Sequence, residues 1–138
     1  MASEVEIFSA HRFHVEIAGI SRASFVRCTG LSARRAVVAF REGGSETARK
    51  LRGPEDFSNL ILEGGVTRDI SLFEWYTRGD RREGSVILLG PAGEEVFRWN
   101  FSRAWPCRWE GPRLDAESGE VAIELLEITH EGLSWAEH

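Results

Sequence analysis

Between Arg12 and Ile17 apolar and polar side chains alternate, with Phe13, Val15 and Ile17 against His14 and Glu16. That period of two predicts a half-buried strand. Gly19 closes it, and a second extended run is predicted over Ser21–Thr29, ending at Gly30. A third, Ala33–Arg41, puts Ala36, Val38 and Phe40 on one face and Arg35, Val37, Ala39 and Arg41 on the other, where water is tolerated. The segment Glu42–Asp56 breaks the pattern. Gly43, Gly44, Gly53 and Pro54 stand there among Glu42, Glu46, Arg49, Lys50, Arg52, Glu55 and Asp56, a composition suited to a loop. A loop of about 15 residues is long for a compact domain and points to a docking element.

Phe57–Val66 reads as the next strand, with Leu60, Ile61 and Leu62 at its apolar centre. The period then changes. Asp69 is placed to cap a helix whose inward residues are predicted to be Ile70, Phe73 and Tyr76/Thr77, flanked by Leu72 and Trp75. Arg78, Arg81 and Arg82 fall near its C-terminal end, where cations favour the helix dipole. Ser85–Leu89 is a strand, and Gly90-Pro91-Ala92-Gly93 a turn. In Glu95–Arg103, Phe97, Trp99 and Phe101 face one way and Val96, Arg98, Asn100 and Ser102 the other. Trp105-Pro106 and Gly111-Pro112 are read as bends. The last strand, Glu120–His130, shows Val121, Ile123 and Leu125 on one face and then slips to Leu126 and Ile128, which predicts a bulge. The elements describe a mainly β, small antiparallel barrel- or sandwich-like domain with one flanking α-helix, spanning 1–138 as a single unit with a flexible arm over 1–10.

Composition agrees with one globular domain: 138 residues, 42% hydrophobic and 28% charged. The acidic start, Met1-Ala2-Ser3-Glu4-Val5-Glu6, lacks the basic and apolar regions of a signal peptide, so synthesis in the cytoplasm and no stable membrane association are expected. A net charge of −5 argues against a general nucleic-acid binder. Lys50 is the sole lysine, a bias that fits either genome composition or arginine-rich interfaces. Cys28 and Cys107 suit neither a disulfide framework nor a zinc site.

Catalytic chemistry is hard to find. His11 and His14 are three apart beside a strand and fall on opposite faces, and His130 and His138 have no second ligand at metal spacing. G-x-S-x-G, Walker A and G-x-G-x-x-G patterns are absent from the sequence. These observations predict no catalytic residue, metal or cofactor. Long alternating strands do predict sheet edges with unpaired backbone groups, which a shared sheet between copies would satisfy.

The order of segments resembles the tail-tube family of contractile phages, R-type pyocins and extracellular contractile injection systems. The resemblance runs from Phe13-His14-Val15-Glu16-Ile17-Ala18-Gly19 through Ala23–Leu31 and Phe40-Arg41-Glu42-Gly43-Gly44 to Lys50-Leu51-Arg52-Gly53-Pro54, where Arg52 replaces the family's usual proline. It continues in Leu60–Thr67, with Gly65 where an arginine is common, then Asp69, Trp75, Trp99–Pro106 and Glu120–Leu133.

That resemblance implies hexameric rings with a shared inner β-barrel, stacked into a hollow tube that conducts DNA or protein cargo without specific recognition. The tube is driven through a target envelope when a sheath contracts. The implied partners are the chain itself, a sheath protein, and baseplate and tube-initiator proteins, within a phage tail or injection particle. Glu42, Gly43, Gly44, Glu46, Arg49, Lys50, Arg52, Gly53 and Pro54 are then expected in an inter-subunit, ring-stacking loop. Arg35, Arg41, Arg98, Asn100, Ser102 and Glu124 are expected to face the lumen. A small ligand-binding β-barrel is the alternative, and a hydrolase a more distant one.

Overall fold

The structure, a computed structural model, describes residues 5–20 and 25–136. Along these residues the alternating runs become nine strands: β1 (Phe13–Ile17), β2 (Arg27–Thr29), β3 (Ala33–Phe40), β4 (Arg49–Phe57), β5 (Leu60–Gly65), β6 (Arg82–Leu89), β7 (Glu95–Glu110), β8 (Ile123–Thr129) and β9 (Gly132–Trp135). One helix, α1 (Ser71–Arg78), lies between β5 and β6. Every pairing between these strands is antiparallel. Seven strands make one sheet, ordered β1-β6-β7-β8-β5-β2 with β9 added to β7, while β3 and β4 form a separate two-stranded sheet. The mainly β, antiparallel architecture with one flanking helix is the one the periodicity predicts.

β7 serves both halves of the large sheet. Its first part pairs with β6 from Glu95 to Ala104, and Trp105–Glu110 pairs with β8. Between them Arg103 takes φ +50° and shifts the alternation, so that Phe101, Ala104 and Pro106 are all buried. A bulged residue of this kind bends a strand and strengthens its twist. The bend expected at Trp105-Pro106 therefore falls at Arg103. Both halves then bury one face on a common core of Val15, Ile17, Val86, Phe101, Leu60, Leu62, Leu126 and Ile128, closed by Leu72 and Trp75 of α1.

Five expectations need correction. The helix turns its other side inward: Leu72 and Trp75 are buried, whereas Ile70, Phe73 and Tyr76 are 60%, 43% and 41% exposed. With only two turns to place, the indole decides the orientation. It fills the core while its Nε1–H donates to the Asp80 carbonyl at 2.7 Å. Asp69 sits one residue before the cap position and accepts from the Ser71 N–H at 2.9 Å. In β8 there is no slip. The strand pairs with β5 in continuous register from Ile123 to Ile128, which buries Glu124, Leu126 and Ile128 together. The run Phe57–Val66 is broken at Ser58-Asn59, where the Ser58 N–H bonds the Ser32 carbonyl at 3.3 Å, so Phe57 ends β4 and Leu60 opens β5. The run expected over Ser21–Thr29 shortens to β2, with residues 21–24 outside the described residues. Of the expected arm, residues 1–4 also lie outside them, and Phe8 sets its ring edge-on to Phe97 at 4.9 Å.

Candidate functional site

β3 and β4 form a hairpin that stands off the body. All eight residues of β3 are exposed. Cross-strand partners share a face, and the register pairs Arg35 with Glu55, Val37 with Arg52, Val38 with Leu51, Ala39 with Lys50 and Phe40 with Arg49. Val38, Phe40 and Leu51 thus share one face, where they are 46%, 49% and 48% exposed. Arg35, Lys50 and Arg52 share the other, on which Arg35 meets Glu55 at 3.5 Å. Gly53-Pro54 form a bulge opposite Ala36. A Cβ on Gly53 would lie 2.8 Å from the Ala36 carbonyl oxygen, and Pro54, lacking an N–H, is tolerated at such an irregularity.

This corrects the expected loop over 42–56. Arg49, Lys50, Arg52, Gly53 and Pro54 lie in strand β4, and only Glu42, Gly43, Gly44 and Glu46 of the set lie in the turn. Pairing with β3 overrides the poor strand propensity of Arg-Lys-Leu-Arg-Gly-Pro. In the turn the Ser45 N–H bonds the Glu42 carbonyl at 3.1 Å, Arg49 reaches the Glu42 carboxylate at 3.1 Å, and Arg41 donates to the Glu46 carbonyl at 3.1 Å.

The large sheet has a polar face opposite its core. Arg98 lies there between two carboxylates, Glu95 at 2.7 Å and Glu16 at 3.1 Å, and these bonds, Glu95 first, hold its guanidinium still more firmly protonated than usual. Ser85 Oγ donates to Asn100 Oδ1 at 2.6 Å beside it, and Ser102 follows two residues on. Arg98, Asn100 and Ser102 therefore share a face, and Arg35 and Arg41 lie on the hairpin. Glu124 does not join them. It is buried on the core face, where Trp109 Nε1–H donates to its carboxylate at 3.0 Å. Sequence reasoning had put it on a solvated face because the supposed slip in β8 reversed the alternation there.

A groove of about 490 Å³ opens on the non-core side of β5 and β8. Val121, Ile123 and Leu125 contribute its apolar part, and Asp115, Glu120 and Arg113 its charged rim. The sequence reading missed it because residues 111–122 show no periodicity. His130 is buried, with its ring nitrogens 3.1 Å and 3.0 Å from the carbonyl oxygens of Ser58 and Gly132. It ties the root of the hairpin to β8 and β9. Among the described residues no three His, Cys, Asp or Glu side chains are grouped to hold a metal.

The described surface thus carries a stand-off hairpin with an apolar face beside a sheet with a polar face. Residues 9–134 match the model of the T4-like virus tail tube protein gp19. The chain belongs to that tail tube family. It is a structural tube protein. No curated protein sequence matches it. Among solved structures, it is similar to a chain of the anti-feeding prophage baseplate, six-fold symmetrised, at 28% identity and TM-score 0.81, covering 99% of this chain and 97% of that one. It shares its fold with a chain of the sheath–tube complex of an extracellular contractile injection system, PVC, in the extended state (22% identity, TM-score 0.85, covering 94% and 91%). Hcp1 from Flavobacterium johnsoniae shares the fold more distantly, at 18% identity and TM-score 0.59 over 89% of this chain and 93% of that one.

Proposed function

We propose that this tail tube protein is the inner tube subunit of a contractile injection particle or contractile phage tail. In this reading six copies close into a ring and rings stack into a hollow tube. The tube carries DNA or protein cargo and is driven outward when a surrounding sheath contracts. The observation that carries it is the hairpin: Val38, Phe40 and Leu51 form an apolar strand face that nothing in the same chain covers among the described residues. Free β edges of this length are hazardous for an isolated protein and are satisfied when copies share a sheet. The six-fold baseplate and the sheath–tube complex in which similar chains are found support the ring and name sheath and baseplate proteins as partners.

The polar face of Glu16, Ser85, Arg98 and Asn100, with Ser102, lines the lumen in this arrangement, and Arg35 and Arg41 extend it along the hairpin. The role requires mechanical continuity and no turnover, which agrees with relatives that are tube components. Purified protein viewed by negative-stain microscopy and weighed by mass photometry is expected to give hexameric rings or tubes. A monomer at all concentrations tested defeats the proposal.

A further inference from the structure

β7 changes partners at one point. Up to Ser102 it is flanked by β6 and β9, and from Trp105 it pairs with β8. At the join Ser102 and Arg103 together stand opposite Glu83, because Phe101 pairs with Gly84 and Ala104 with Arg82. Arg103 takes φ +50°, a conformation that bulges commonly give to glycine, and it is the only non-glycine residue with positive φ among the described residues. Its neighbours hold it there from both sides. From β6, the Glu83 carboxylate accepts from the Arg103 N–H at 3.2 Å. On the other side lies the turn between β8 and β9. There the Glu131 N–H donates to the Ser102 carbonyl at 3.0 Å. The Glu131 carboxylate receives the Arg103 guanidinium and, at 3.1 Å, that of Arg81.

The side chains of Arg103 and Glu131 are 61% and 49% exposed. Ion pairs so open to water add little to stability. Their effect falls instead on the choice among bends of nearly equal energy, since a bulge sets the local twist of its strand. Two halves of the large sheet meet here: β1-β6-β7, with the polar face of Glu16, Arg98 and Asn100, and β7-β8-β5-β2. We infer that Arg103 and Glu131 are positioning residues that fix the angle between these halves, and that this angle sets how many copies close one ring. The inference rests on the tube reading above. Copies joined head to tail form a ring only when the rotation between neighbours closes the circle, and an open filament otherwise. A contact between copies that spans both halves carries the bend into that rotation.

Native mass spectrometry of purified rings, read beside the melting temperature, tests this. Wild-type protein is expected to give one ring mass. Arg103→Gly relieves the backbone and removes the guanidinium. Its melting temperature is expected to stay at or above the wild-type value while the ring mass splits into peaks one subunit, 15.5 kDa, apart. Glu131→Ala keeps the backbone but releases both arginines, and is expected to split the ring mass likewise. Glu131→Gln still accepts from both arginines and is expected to keep the single peak. A purely structural role would lower the melting temperature and leave the ring mass unchanged. The inference is overturned, with the tube reading intact, if Arg103→Gly and Glu131→Ala both keep the wild-type ring mass, or if they stay folded and form no rings. Wild-type protein that stays monomeric at every concentration defeats the tube reading itself.

Discussion

Arg98 shows how one side chain couples distant parts of the chain. It holds Glu16 of β1 and Glu95 at the start of β7 in one cluster, with its own side chain only 27% exposed. Arg98→Glu puts three carboxylates together and is expected to cost about 1 kcal/mol at neutral pH. Acid neutralises the crowded charge of the variant and weakens the ion pairs of the wild type alike. The gap in melting temperature between variant and wild type therefore narrows as pH falls towards 4; a gap that widens would contradict the cluster. Cys28 gives the alkaline counterpart. Burial pushes its thiol up to about 11 from the ordinary 9.0, so the unfolded chain loses that proton first. The stability due to the neutral, half-buried thiol is present below pH 9 and falls away as pH rises towards 11. At pH 8, alkylation is expected to reach exposed Cys107 well before Cys28, and equal rates would show Cys28 to be accessible.

At the scale of the element, α1 carries two apolar stripes and buries only one. Leu72 and Trp75 are each 1% exposed, whereas Ile70 and Phe73 lie outside, Phe73 meeting Trp109 edge-on at 4.8 Å. Leu72→Ala is expected to cost about 2–5 kcal/mol, by lost transfer energy and the cavity left behind. Ile70→Ser is expected to stay within about 0.5 kcal/mol. Urea unfolding of the two variants checks the assignment, and the reverse order would restore the face predicted from the sequence. That prediction failed because Ile70, Phe73 and Tyr76 have the same three-residue spacing as the buried pair, and a two-turn helix carries too few positions for periodicity to choose. Alternation in β3 and β7 was legible because eight or more residues repeat it.

The whole molecule is a folded body with an appendage. The core closes without the hairpin, since no residue of β3 or β4 belongs to it. Shortening the hairpin between Gly44 and Gly53 should leave the melting temperature near the wild-type value while abolishing long tubes, as followed by circular dichroism and electron microscopy. Normal tubes from the shortened chain would show that the hairpin is not an assembly element, and an unfolded product would show that it belongs to the body.

The amino-acid sequence alone determined the strands with long regular alternation, the single helix, the class of fold and, through the order of its segments, the tail tube resemblance. Those are local properties: a period of two or a glycine-rich turn is written in neighbouring residues. Tertiary structure decided what depends on partners far along the chain. It made β4 a strand by pairing Arg35 with Glu55 and Val38 with Leu51, and it drew Glu124 into the core beneath Trp109 by fixing the register of β8 against β5. It also formed the groove beneath residues 111–122. Register is set by the sum of many cross-strand contacts, and a shift of one residue turns every side chain to the opposite face, so a local pattern broken at one or two positions could not fix it.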